Sequence, residues 1–244
     1  MIVILGSTHD DILYFESVMT NRRDETLFDV YKLEYGTIFN QEVVLVYDVF
    51  TSFVSGIVTN YLLQKHFVAL VIVVGKCVAY SSDIKPGDIA ISNAVVLGDV
   101  NQTREANSKL GQLPHLPAQL EASSEVIAYL EQALEKRSFS RHEQALFVSS
   151  NTIYDSDERV SHLLMNDFVL GYKERVVFDC LSGGAFLASY LYKIPVVAIK
   201  VVEKTINQKS TVDNYINVLK QYSGVGRAVV TCIGDIGRND IMRG

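Results

Sequence analysis

The sequence predicts an α/β fold with a central, largely parallel sheet and helices on both faces. Three observations carry that expectation. Short runs of β-branched residues are apolar at successive positions, several are separated by stretches with helical apolar spacing, and no Ser/Gly/Pro linker divides the chain. A strand covered on both faces has no solvent side, so it reads as a continuous apolar run rather than an alternation. Such runs fall at residues 2–5, 43–49, 68–74, 89–96, 145–149, 176–180 and 195–202. One domain is expected.

Taken in order, Ile2-Val3-Ile4-Leu5 forms the first strand and stops at Gly6. Residues 10–20 carry Ile12, Leu13, Phe15 and Val18 at helical spacing, and residues 52–64 carry Val54, Ile57, Val58 and Leu62. Residues 123–136 place Val126, Ile127, Leu130 and Leu134 on one helical face. Ser123 and Ser124 are N-cap candidates there, because a serine oxygen accepts from a free N–H of the first turn. Residues 182–192 form a further helix through Phe186, Leu187, Tyr190 and Leu191. Residues 98–118 are polar and irregular, the kind of long loop that binds, moves or meets a partner. At the C-terminus two readings stand. Residues 213–222 have helical spacing, whereas residues 228–233 taken alone read as a strand. Gly224 and Gly226 lie between them, and each glycine costs a helix about 1 kcal/mol relative to alanine.

Composition narrows the function. With 244 residues, the chain is long enough for one large core. A 48% hydrophobic content with only 4 prolines excludes a disordered chain. The 28 acidic residues outnumber 22 dispersed basic ones, for a net charge of −6, which excludes a nucleic-acid binder. Cys77, Cys180 and Cys232 make no C-x-x-C pair, and His9, His66, His115, His142 and His162 show no paired metal spacing, so no metal or other cofactor is expected. The longest apolar run, residues 67–74, is far shorter than the ~20 residues of a membrane helix, and the N-terminus lacks the basic region of a signal peptide. A soluble cytoplasmic protein without membrane partners is expected.

Glycine-rich phosphate loops are absent. Ser182-Gly183-Gly184 opens a helix after a strand, where small residues serve either an anion cradle or close helix–sheet packing. Asp10, Asp11, Asp48, Asp179 and Glu203 all follow strands. In an α/β protein those ends share the edge where ligands bind. A carboxylate there acts as a general acid or base, or forms an ion pair with Lys200 or Lys204.

Three blocks resemble one family. Lys85-Pro86-Gly87-Asp88-Ile89-Ala90-Ile91-Ser92 is similar to a V-G-D-I-V-V-S strand, and Gly111-Gln112-Leu113-Pro114 with Pro117 to a G-Q-L-P-G-x-P loop. Phe147-Val148-Ser149-Ser150, the strand end Phe178-Asp179-Cys180, and Ile194-Pro195-Val196-Val197-Ala198-Ile199-Lys200 follow in the same order and spacing. They resemble the 5′-methylthioadenosine/S-adenosylhomocysteine nucleosidases of the nucleoside phosphorylase superfamily. The resemblance implies a three-layer sandwich around a mixed, twisted sheet. It also implies a homodimer, a purine nucleoside-like ligand, and cleavage of an N-glycosidic bond through an oxocarbenium-like state.

Carried over residue by residue, the site is altered. The first-loop glutamate falls on Asp11 or its neighbour Asp10, and the ribose-clamping glutamate becomes Leu181. The Ser-Asp of the acid becomes Glu203-Lys204, and the arginine beside the nucleophile becomes Lys200. Lysine donates only, so it cannot accept the adenine amino hydrogen. The glycine turn becomes Gly75-Lys76-Cys77, the G-I-G-K loop becomes Val49-Phe50-Thr51-Ser52, and the base-stacking pair falls on Ile153-Tyr154. These changes favour a catalytically silent relative that binds a purine nucleoside-like ligand or a partner subunit. The alternative is an active N-glycosidase with Glu203 as acid and Asp11 as base. A third reading gathers Lys76, Lys200 and Lys204 around a phosphate, as in a phosphorylase.

Overall fold

The computed structural model describes residues 1–80, 83–104, 108–136, 141–161, 163 and 175–238; His162 and residues 105–107 of the polar loop lie outside them. Its centre is a mixed sheet of eleven strands. β1 (Ile2–Leu5) pairs in parallel with β4 (Gln41–Val46) on one side and β5 (Leu70–Val73) on the other. β2 (Thr20–Leu27) and β3 (Tyr31–Ile38) form an antiparallel hairpin that extends the sheet beyond β4.

The other half is organised by the longest strand, β11 (Val196–Thr205). Its first residues run parallel to β5 and its last parallel to β6 (Lys76–Ala79), while its middle is antiparallel to β7 (Ile89–Leu97). β6 continues to β10 (Val176–Asp179), β10 to β9 (His142–Ser149), and β9 back to β7, so these strands close a ring through β11. The short β8 (Leu120–Glu121) borders β7. The antiparallel pairings of β2, β3, β6, β7 and β8 correct the largely parallel sheet expected from the apolar runs. Runs of buried residues report burial on both faces, not strand direction.

Helices cover both faces. Ile2 and Ile4 face one core with α3 (Ser124–Glu135) and the C-terminal helix; Val3 and Leu5 face another with α2 (Ser52–Lys65) and α5 (Ser182–Tyr192). Each fully buried Leu, Ile or Val contributes about 1.5–3 kcal/mol. Residues 10–20 are not one helix. A 3-10 turn at His9–Asp11 precedes the short α1 (Leu13–Val18), and Thr20 already belongs to β2. A second short helix, α4 (Asp157–Val160), follows β9.

The C-terminal alternatives resolve into one helix, α6 (Val212–Arg238). Its glycines are contact points rather than breaks: a Cβ at Gly226 would lie 2.5 Å from the Tyr14 ring. Ala228, Val229, Cys232 and Ile233 are all buried, because α6 packs against both α3 and the sheet. That encirclement makes a helical stretch read like a strand. No described helix is long and apolar enough to cross a membrane.

Candidate functional site

A cavity of about 410 Å³ opens beside the start of β6, the end of β10 and residues 200–204 of β11. Phe50, Val78, Ile153, Tyr154 and Phe178 give it apolar wall; Lys76, Asp155, Asp179, Lys200, Glu203 and Lys204 give it charge. The Tyr154 ring meets Phe178 edge-on, centroids 5.6 Å apart, and its hydroxyl donates to the Gly98 carbonyl at 2.9 Å. Burial raises the Tyr154 phenol above its usual value, so this wall is held as a neutral aromatic surface.

At the floor, the Lys200 ammonium lies 2.8 Å from Asp179 Oδ2, both side chains only 1% exposed. The same oxygen accepts from the Ser182 amide at 3.1 Å and the Ser182 hydroxyl at 2.5 Å, at the start of α5. Burial pushes the Asp179 carboxyl up, but the Lys200 charge and the hydrogen bonds from Lys200, Ser149 and Ser182 outweigh it and hold the group below the ordinary carboxylate range.

The rim is set by a break in β11. Successive residues of a regular strand face opposite sides, yet Glu203 and Lys204 both reach the cavity. The register against β6 shifts between Val202 and Lys204, and such a bulge re-aims the side chains around it. Glu203 pairs with Lys76 at 3.1 Å and accepts from the Ser210 hydroxyl at 3.1 Å. Lys204 lies 3.7 Å from Asp155.

Of the residues singled out from sequence, the structure brings Ile153, Tyr154 and Phe178 to the cavity's apolar wall, and Asp179, Cys180, Lys200, Glu203 and Lys204 to the rest of its lining. Burial, then Asp179, pushes the Cys180 thiol up to about 11, so it stays protonated at neutral pH. Phe50 and Lys76, standing where the family has glycine-lined approaches, also line the cavity.

Asp11 and Gly75 do not border it. They meet each other next to the lining residues Ser7 and Lys76, where Gly75 adopts φ +127 and a Cβ would lie 3.0 Å from Asp11 Oδ2. That oxygen accepts from the Ser7 and Thr8 amides at 2.7 and 2.9 Å. The Tyr222 phenol beside it is raised well above its usual value, by burial first and then by the Asp11 charge. Asp10 accepts from the Tyr215 hydroxyl at the surface, and Asp48 is exposed.

Leu181, at the ribose-clamp position, is 1% exposed and belongs to the core, its carbonyl accepting from Ser55 at 2.6 Å. Gly183 and Gly184 serve packing: a Cβ at Gly184 would lie 1.8 Å from the Ser52 carbonyl oxygen. Asp155 was not singled out from sequence. Its one signal is that it directly follows Ile153-Tyr154. Away from the cavity, atoms of His9, Glu16 and Glu34 come within 4.8 Å of one another, but Arg22 already binds Glu34 at 2.6 Å.

A sequence profile described as the phosphorylase superfamily matches residues 2–232. The chain belongs to that superfamily. A 5′-methylthioadenosine/S-adenosylhomocysteine nucleosidase of Staphylococcus haemolyticus is 22% identical over 212 residues, 87% of this chain and 90% of that one. Among solved structures, the 5′-methylthioadenosine/S-adenosylhomocysteine nucleosidase of Neisseria meningitidis in complex with methylthio-immucillin-A superposes with a TM-score of 0.85 at 18% identity, covering 96% and 98% of the two chains. The futalosine hydrolase of Helicobacter pylori superposes at 0.83 with 15% identity, covering 96% and 97%. At such identities the superpositions establish the α/β fold, a mixed sheet flanked by helices. The chain is nucleosidase-like in both sequence and fold.

Proposed function

We propose that this superfamily member binds a purine nucleoside-like ligand in the cavity and does not hydrolyse it by the family's carboxylic-acid route. The observation that carries this reading is the pairing inside the cavity. Among the described residues, each carboxylate that reaches it (Asp155, Asp179 and Glu203) is held by a lysine. Both Glu203 oxygens already accept, from Lys76 and Ser210, and Asp11 is not among the residues that line the cavity. Neither is presented as a free acid or base. Apolar and aromatic side chains suit a planar base.

The test is incubation with methylthioadenosine, S-adenosylhomocysteine, adenosine and inosine, with and without phosphate, following free base by chromatography and binding by calorimetry. Binding without base release is the expected result. Base release that Glu203→Gln abolishes would overturn the silent reading in favour of an active glycosidase with Glu203 as its acid.

A homodimer is part of the same proposal. Phe50, Phe53 and Ile153 are 61%, 70% and 59% exposed, a concentration of apolar surface that a second copy would cover. Light scattering on the purified protein decides between one copy and two. Three free cysteines suit the cytoplasm.

A further inference from the structure

We propose that His9, Glu16 and Glu34 form a site for a divalent transition metal of the zinc type, held in the metal-free protein by the Arg22 guanidinium. The inference is independent of what the cavity binds.

The donor set is the first argument. Among the described residues, this is the one group of three His, Cys, Asp or Glu side chains whose ligand atoms all lie within 4.8 Å of one another. His9 Nε2 is 3.0 and 2.9 Å from the two Glu16 oxygens. One imidazole nitrogen with two carboxylates is a zinc-type set, whereas calcium and magnesium take oxygen ligands alone. Bonds of about 2.0–2.2 Å in a tetrahedral zinc site place ligand atoms about 3.4 Å apart. The His9 and Glu16 atoms are therefore already at coordinating distance from each other, and a small closure brings in Glu34.

Charge is the second argument. Glu34 on β3 has a side chain only 6% exposed. Its neighbours Leu33 and Tyr35 pack into the core on the α2 side, so Glu34 points to the opposite face, toward His9 and α1. Arg22 sits in the register break of β2 and reaches both carboxylates, Glu34 at 2.6 Å and Glu16 at 3.5 Å. The cluster thus already holds a cation, but one positive charge against two negative ones. A divalent ion balances both, and Arg22, 44% exposed, has solvent to turn into.

Tyr47 is the third argument. Its hydroxyl donates to Glu34 Oε1 at 3.1 Å, which leaves Oε2, the oxygen that Arg22 holds, for the metal. Its ring lies against His9, centroids 4.9 Å apart at 38°. One buried side chain therefore orients two of the ligands, the kind of support that fixes a metal site. Sequence spacing does not mark the site, because its ligands come from the 3-10 turn, α1 and β3. Metal bound there ties the loop after β1, whose Ser7 lines the cavity, to the β2–β3 hairpin.

Titration with Zn²⁺ by calorimetry, and with Co²⁺ by visible absorption, tests this on the wild type, Arg22→Met, Tyr47→Phe and His9→Ala. Arg22→Met is expected to bind one Zn²⁺ about tenfold or more tighter than the wild type, since nothing then competes for Glu34 Oε2. Tyr47→Phe weakens binding about tenfold. His9→Ala removes it, together with the strong Co²⁺ bands of a four-coordinate site; the His9 side chain is 49% exposed, so the fold does not depend on it. A cluster that is only an ion-pair network predicts another pattern, in which Arg22→Met lowers the denaturation midpoint and gains no metal. Zn²⁺ binding that survives His9→Ala overturns the site, as does failure of both the wild type and Arg22→Met to bind. Equal affinity in those two proteins overturns Arg22 as the cation that the metal displaces.

Discussion

The cavity contains the same chemical pair at two depths. Lys200–Asp179 on the floor spans 2.8 Å with both side chains 1% exposed, whereas Lys76–Glu203 on the rim spans 3.1 Å with Lys76 41% exposed. On the floor, water cannot replace a lost partner, so the pair fixes structure. On the rim, water can replace it, so losing one partner costs little. The largest effect expected from this difference is on folding. Lys200→Met or Asp179→Ala should each destabilise the protein by about 3–5 kcal/mol, because a buried charge is left alone. The double variant Lys200→Met/Asp179→Leu should recover most of that loss. Urea denaturation of the three proteins measures it, and single variants costing under about 1 kcal/mol would erase the distinction between floor and rim.

Acid sharpens the same contrast. The folded Asp179 carboxyl lies below its unfolded value: burial works against the charge, and Lys200, Ser149 and Ser182 more than compensate. The unfolded chain therefore binds this proton more readily, and stability rises with pH. Asp179's contribution is complete above the ordinary carboxylate value of about 3.9 and is lost as pH falls through the lower folded value. Denaturation midpoints between about pH 5 and pH 2 should fall more steeply in the wild type than in Lys200→Met/Asp179→Leu. Parallel curves would mean that Asp179 is not the group that links acid to unfolding.

Floor and rim were not equally legible in the sequence. The floor comes from regular elements: the 176–180 run became β10, the helix expected at 182–192 became α5, and Asp179 sits between them. The rim depends on a register shift in β11, which apolar periodicity does not encode; hence both Glu203 and Lys204 face the cavity. Asp155 escaped notice because its partner lies 49 positions away in sequence (204 − 155) and meets it only through the Asn207 turn. The β2–β3 hairpin was illegible for another reason. Residues 20–26 are exposed or half-exposed and polar, so no apolar run marks the strand. Leu181 shows the limit of carrying a family position across: its place in the motif is a ribose contact, but its side chain packs into the core.

The smallest effect is expected at the rim, and it tests whether the two depths are independent. Lys76→Met and Glu203→Gln should each change stability by less than about 1 kcal/mol, while changing nucleoside affinity by calorimetry more than they change the denaturation midpoint. Glu203 and Lys200 sit on one strand, separated by Val201 and Val202, which are both buried. If the bulge after Val202 insulates them, the combination Glu203→Gln with Lys200→Met should cost the sum of the singles within about 0.5 kcal/mol. A larger departure would mean that the strand transmits the loss of a rim charge to the floor. A ligand that displaces Lys76 from Glu203 would then tighten or loosen the Lys200–Asp179 pair, and recognition and stability would be one network rather than two.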